Sequence, residues 1–234
     1  MAAPPAARVV GRLEEIYGYP IVEQIGRNLT TSTPAALFGL LCVGVLAHPR
    51  VPGWKAMAAS RALAEEGWST AERLAASPWK ARVDALSRAG YTRSPERAAF
   101  TMGHLADGVR DDYDGDLGNL RAAAGGDPTA ERALLKELKG VDDKVVDVFF
   151  REAQTVWHEL YPYADGRVIR AARRLGLPAD AQSLAALVGP ERFPRLAAGL
   201  AHVDRAGAYD TLLEENEKTI DLREAARSIA RRMF

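Results

Sequence analysis

Apolar positions recur at helical spacing along most of the chain, and no stretch alternates apolar and polar residues as a half-buried strand does. In residues 8–17, Val9, Val10, Leu13 and Ile16 share one helical face, and Tyr17-Gly18-Tyr19-Pro20 breaks the helix. Residues 21–28 fit a short second turn of helix. Thr33 and Pro34 then read as the cap and first position of a helix over 35–47. That segment is almost wholly apolar but too short to span a bilayer, so it is expected at the centre of a core. Amphipathic helices follow at 54–67, 70–76, 78–89, 95–109 and 117–124. Gly125-Gly126-Asp127-Pro128 reads as a break, and a short helix over 133–139 comes after it. Further helices are expected from Asp142 or Asp143 onward, after Asp165, and at 181–188, 193–206 and 219–234. The fold class is all-α.

Composition narrows what such a bundle does. Lysine plus arginine equals aspartate plus glutamate at 31 each, so no overall basic charge favours nucleic acid. A local basic face is still available from the arginines after Asp165 and from Arg88, Arg93 and Arg97, although each also fits a solvated helix face. A single cysteine, Cys42, excludes an internal disulfide framework and a four-cysteine metal or iron–sulfur site. The four histidines lack zinc spacing, so no metal site is expected. The acidic run 111–116 lacks the closing glutamate of a calcium loop and reads as a solvated turn. Residues 1–7 lack the charged start and apolar core of a signal peptide, so a cytoplasmic protein with no membrane partner is expected, nucleoid-associated in a prokaryote. No Gly-x-Ser-x-Gly, P-loop or internal repeat is present.

The chemistry concentrates between Leu134 and Leu177. Leu134, Leu135 and Leu138 form one helical face, Gly140 stops that helix, and Asp142 or Asp143 caps the next. Lys144 falls in the first turn of that second helix, where the dipole disfavours a cation and any burial would add to the effect. The neighbouring acids act the other way, and an ordinary surface lysine is the alternative. Further on, Asp165 precedes a helix with Val168, Ile169, Ala172 and Leu175 on its apolar side, which Leu175-Gly176-Leu177-Pro178 ends. A plain helix cap is the alternative reading for Asp165.

The segments LKGVDDK and ADGRVIRAARRLGL together resemble the helix-hairpin-helix DNA glycosylases of the endonuclease III type. That family's hairpin reads roughly Leu-Pro-Gly-Val-Gly-x-Lys. Its second segment reads roughly Val-Asp-Thr-His-Val-x-Arg-Val-x-x-Arg-Leu-Gly-Leu, which Asp165, Val168, Arg170, Arg174, Leu175, Gly176 and Leu177 match in order. The resemblance extends more weakly from about residue 35 to 209. It implies a six-helix domain over 34–150 carrying the hairpin, a second domain built from 1–33 and 151–234, and an active cleft between them. It makes Lys144 and Asp165 the catalytic pair. Lys139, Gly140, Val141 and Asp142 of the hairpin, with His48, Arg93 and Arg167, become the DNA contacts. His48 falls where the family has a residue that fills the gap left by an extruded base; a histidine at a helix C-terminus is also favourable on its own. Tyr161, Tyr163 and Trp157 fit either a base pocket or the core.

The departures are specific. Asp142 stands where the family has a second glycine, and Lys139 replaces its proline. Two acids in a turn that offers N–H groups to a phosphate would repel it. The family's cluster cysteines are missing, so no iron–sulfur cofactor is expected. A monovalent cation at the hairpin is the one bound group the resemblance allows.

The activity implied is that of a monomeric DNA-repair glycosylase with abasic-site lyase activity, acting on double-stranded DNA with a damaged base or an abasic site. A nucleotide is extruded, Lys144 attacks the sugar C1′, and Asp165 stabilises the charge that develops. The alternative is a non-catalytic DNA-binding or protein-interaction scaffold on the same fold, which Asp142 and the neutral charge motivate.

Overall fold

The computed structural model describes residues 6–29, 34–47 and 51–213. Thr33, His48, the first five residues and the helix expected over 219–234 lie outside the described residues. Within them the protein is all-α, with one short 3-10 turn and no strand. No helix among the described residues is long and apolar enough to cross a membrane.

The chain divides into two compact units, residues 22–149 and residues 1–21 with 150–234. The first unit is built around α3 (Pro34–Leu46), which is buried on nearly all sides. Its glycines let neighbours approach. A Cβ on Gly44 would sit 2.9 Å from a Val145 methyl, so α3 and the start of α10 (Asp143–Ala153) pack tightly at this point. Around α3 lie α2 (Ile21–Gln24), α4 (Gly53–Glu65), α5 (Ala71–Ala75), α6 (Trp79–Arg88), α7 (Pro95–Tyr113), α8 (Leu117–Ala123) and α9 (Pro128–Glu137). Arg82 ties three of them together. Its buried guanidinium donates to the carbonyls of Leu74 (3.2 Å), Ser77 (2.6 Å) and Ala99 (3.1 Å). A buried cation satisfied this way is a structural pin.

Among the departures from the sequence expectation, two have a clear local cause. The helix α7 runs on through Asp111, Asp112 and Tyr113, which the acidic composition had marked as a turn. Tyr113 is buried and Arg110 neutralises Asp111 at 2.7 Å, so the helix continues until Asp114 takes φ 50°. The helix α9 begins at Pro128, not at 133, because Asp127 and Pro128 are its cap and first residue. The Asp127 carboxylate accepts from the Thr129 and Ala130 amides at 3.3 and 3.1 Å.

In the other unit, α1 (Ala6–Tyr17) and α11 (Gly166–Arg174) both pack on α13 (Phe193–Ala206). With α12 (Ala181–Val188) and α14 (Asp210–Leu213) they enclose a core that includes Leu13, Val168, Phe193, Leu196 and Leu200. Trp157 is buried, and the rings of Tyr161 and Tyr163 meet Phe193 and Phe150 edge-on at 5.7 and 5.4 Å. Trp157 packs in the core, whereas Tyr161 and Tyr163 are half-buried.

Candidate nucleic-acid interface

The turn between α9 and α10 is short because each of its residues has one local task. Leu138 and Val141 are buried, and the Val141 amide donates to the Leu138 carbonyl at 3.1 Å. Gly140 has φ +86°, and a Cβ there would meet a Thr101 methyl at 2.6 Å and a Val45 methyl at 3.0 Å. Backbone conformation and space both demand glycine. Lys139 is exposed.

Asp142 is the N-cap of α10. Its carboxylate accepts from the Val145 amide at 3.0 Å, and its carbonyl accepts from Val146 at 3.0 Å. The position that a bound phosphate takes at a helix N-terminus is therefore served by the chain's own carboxylate. A monovalent cation would have to be held by turn carbonyls, and those of Leu138 and Asp142 already accept from Val141 and Val146. The hairpin fits such an ion only in part.

Lys144 is exposed, so burial contributes nothing to its reactivity. What its neighbours do matters more. Asp143 is held by Lys136 at 2.8 Å and Arg132 at 3.1 Å, and these contacts keep its carboxyl below the usual carboxylate range. Arg132 also holds Asp147 at 2.8 Å. The acids on either side of Lys144 are thus engaged by other groups, and Lys144 makes no ion pair among the described residues. Its amine is available.

Asp165 has the opposite surroundings. It is 5% exposed and caps α11, with one oxygen accepting from the Arg167 and Val168 amides at 2.7 and 3.2 Å. Its other oxygen is paired with Arg151, itself 4% exposed. Both oxygens are in use. Nearby on the same unit, Arg167 and Arg170 share Asp204 at 3.6 and 2.7 Å. Burial pushes the Asp204 carboxyl up, but the Arg170 and Tyr209 hydrogen bonds outweigh it and leave the carboxyl below its usual range. Arg167 is therefore already paired with an acid.

Next to the hairpin, the first unit holds a pocket of about 290 Å³. Leu46, Val51 and Tyr91 line it with apolar surface, and the Tyr91 hydroxyl is satisfied by the Leu46 carbonyl at 3.0 Å. Arg93, Arg97 and Thr101 supply the polar lining. Val45 and Thr101 line this pocket and also flank Gly140, so the pocket and the turn share a wall. His48 is outside the described residues. Arg88, in contrast, is paired with Glu66.

Sequence reasoning missed Arg151, the partner of Asp165. Its one signal is a charged Arg151-Glu152 pair continuing the buried side of a helix that carries Val145, Val146, Phe149 and Phe150. The pocket itself, gathered from Val45, Leu46 and Val51 on one side and from Tyr91, Arg93, Arg97 and Thr101 on the other, has no local signal. In class, this is an all-α protein whose helical hairpin carries an exposed lysine, unpaired among the described residues, and shares a wall with a small pocket lined by arginines. No protein-family model matches the chain, and no curated protein matches it.

Proposed function

We propose that the protein is a DNA-repair lyase that cleaves DNA at abasic sites through a Schiff base on Lys144. The observation that carries this reading is the isolation of the Lys144 amine. It is exposed in the first turn of α10, while Asp142, Asp143 and Asp147 are each engaged by another group.

An abasic site in its ring-opened form carries an aldehyde at C1′. The Lys144 amine adds to that carbon, and loss of water gives the imine. The imine acidifies the C2′ proton, which passes to water. The C3′–O bond breaks, the 3′-phosphate leaves with the electron pair, and hydrolysis of the imine returns the free amine. None of these steps requires a carboxylate. Displacing an intact damaged base does require one, free to stabilise positive charge on the sugar. Asp165 is buried with both oxygens engaged, so the lyase half of the implied activity has the stronger support. Duplex DNA with an abasic site is the substrate, and the resemblance to endonuclease III-type proteins is the independent support for it.

A second reading is a DNA-binding or scaffold protein with no chemistry. The capping of α10 by Asp142 favours it, because that cap takes the place of a phosphate at the hairpin.

The test is strand cleavage of a duplex bearing one abasic site. Wild type is expected to cleave it and Lys144→Ala to lose at least a hundredfold in rate, with circular dichroism and melting unchanged. Cleavage by Lys144→Ala at the wild-type rate contradicts the lyase reading. Salt-dependent duplex binding without cleavage by either protein selects the scaffold.

A further inference from the structure

We propose that the N-terminal half of α7 carries a binding track for single-stranded nucleic acid. One unstacked base enters the pocket, Arg93 and Arg97 take the adjoining phosphates, and the next base stacks on Phe100. This site does not depend on the chemistry of Lys144.

The first observation concerns charge. The chain has as many acids as bases, and several of its arginines are already bound to an acid. Arg88, Arg110, Arg132, Arg151, Arg170 and Arg192 each hold a carboxylate. Among the described residues, Arg93 and Arg97 hold none, both line the same pocket, and no acid lines it. Two uncommitted guanidinium groups around a cavity of mixed polar and apolar lining suit a ligand with an anionic end and a flat apolar body. At about 290 Å³ the cavity lies at the small end of ligand pockets.

The second observation concerns exposed aromatics. Phe100 is 50% exposed and Trp79 47% exposed, and they are two of the four large hydrophobic residues left in solvent among the described residues. Phe100 meets His104 edge-on with ring centroids 4.3 Å apart. Arg97, Phe100 and His104 follow at three- and four-residue spacing, so they share one face of α7. The Trp79 indole N–H donates to the Glu96 carbonyl at 3.4 Å, which holds Trp79 beside the first turn of the same helix. A row of cation, aromatic and aromatic beside a pocket is the arrangement that grips a single strand without reading its sequence.

A duplex does not suit this surface. Its bases are stacked and paired, so they reach neither a blind pocket nor an exposed ring, whereas the bases of a single strand reach both. The opposing charges are Glu96, exposed between the two arginines in sequence, and Asp107. Asp107 is bound by Arg110 at 3.2 Å and lies 3.7 Å from His104. Neither lines the pocket. The track also complements the hairpin: Asp142 has taken up the phosphate position at α10, and these arginines supply the missing cations.

The test is fluorescence anisotropy of labelled twelve-residue oligo(dT) and oligo(U) with the full chain over a salt series. Binding is expected for at least one, and comparison of the two reports whether the 2′-hydroxyl matters. Phe100→Ala is expected to weaken binding about tenfold, within the range for losing one stacked base. The Arg93→Gln/Arg97→Gln double variant should lower the slope of log affinity against log salt by about 1.4, two contacts at ~0.7 each. The strand should quench tryptophan fluorescence in wild type and much less in Trp79→Phe. All four side chains are in solvent, and thermal melts confirm that each variant is folded. Phe100→Ala should also leave cleavage of a saturating abasic duplex unchanged, which separates this site from Lys144. No binding of either oligomer overturns the proposal, as does binding whose affinity and salt slope are the same in all variants.

Discussion

Lys144 and Asp165 are the two residues the sequence singles out, and the structure gives them opposite surroundings. Lys144 stands in solvent while ion pairs and a cap engage the acids around it. Asp165 is buried, caps α11 and is locked to Arg151. A charged group whose bonding capacity is saturated inside a fold is a structural element, and removing its partner is costly. A charged group left unpaired at the surface adds little stability and is free to react. Matching a motif does not separate these cases. Accounting for the partners does.

That contrast can be broken or sharpened on one scale, the free energy of unfolding. The largest effect belongs to the Asp165 side. Arg151→Met or Asp165→Ala leaves one buried charge uncompensated and should cost about 3–5 kcal/mol in urea unfolding. The double variant Arg151→Met/Asp165→Asn removes both charges while keeping a capping oxygen, and should recover most of that loss. A double variant no better than the worse single one would show that the pair is not the pin described.

Next comes pH. His202 lies on the same unit, its Nδ1 3.0 Å from the Tyr17 carbonyl. Burial, with smaller contributions from Arg151 and Arg205, lowers its pKa to about 4. An unfolded histidine titrates near 6.5, so between pH 6.5 and 4 the unfolded chain binds the extra proton and the folded one does not. Stability is unaffected above that window and falls as the pH drops through it, by on the order of 1–2 kcal/mol at pH 5. Unfolding curves at pH 7 and pH 5 should show this for wild type, and His202→Gln should reduce the difference.

Smaller changes belong to the Lys144 side. Asp142→Ala removes the α10 cap and should cost about 1 kcal/mol, whereas Asp142→Gly should cost only a few tenths. Asp142→Gly also frees the helix N-terminus for a phosphate, so it should tighten duplex DNA binding severalfold by anisotropy. Unchanged binding would separate the hairpin from any DNA contact. Lys144→Ala should shift unfolding by less than about 0.5 kcal/mol. A loss of several kcal/mol there would return Lys144 to a structural role.

The parts of the molecule legible in the sequence are those decided locally. The apolar run of α3, the Gly140 stop and the Asp165 cap each follow from a few adjacent residues. The beginning of α9 was hidden because Gly-Gly-Asp-Pro looks like a break, although its last two residues start a helix. The end of α7 was hidden because Asp111 and Asp112 read as solvated, while burial of Tyr113 extends the helix past them. At the site, Lys144 and Asp165 were visible as residues but their surroundings were not. The Arg151–Asp165 pair joins residues 14 apart, and the pocket joins segments some 50 apart. Such contacts are set by packing, which no local pattern encodes.

The most direct measurement is peptide mapping of the adduct that borohydride traps between the wild-type protein and a duplex with one abasic site. The chain offers six lysines, and Lys139 stands exposed only five positions from Lys144. The account predicts one modified peptide, carrying the reduced sugar on Lys144. An adduct on Lys139 or any other lysine, or no adduct at all, would contradict it.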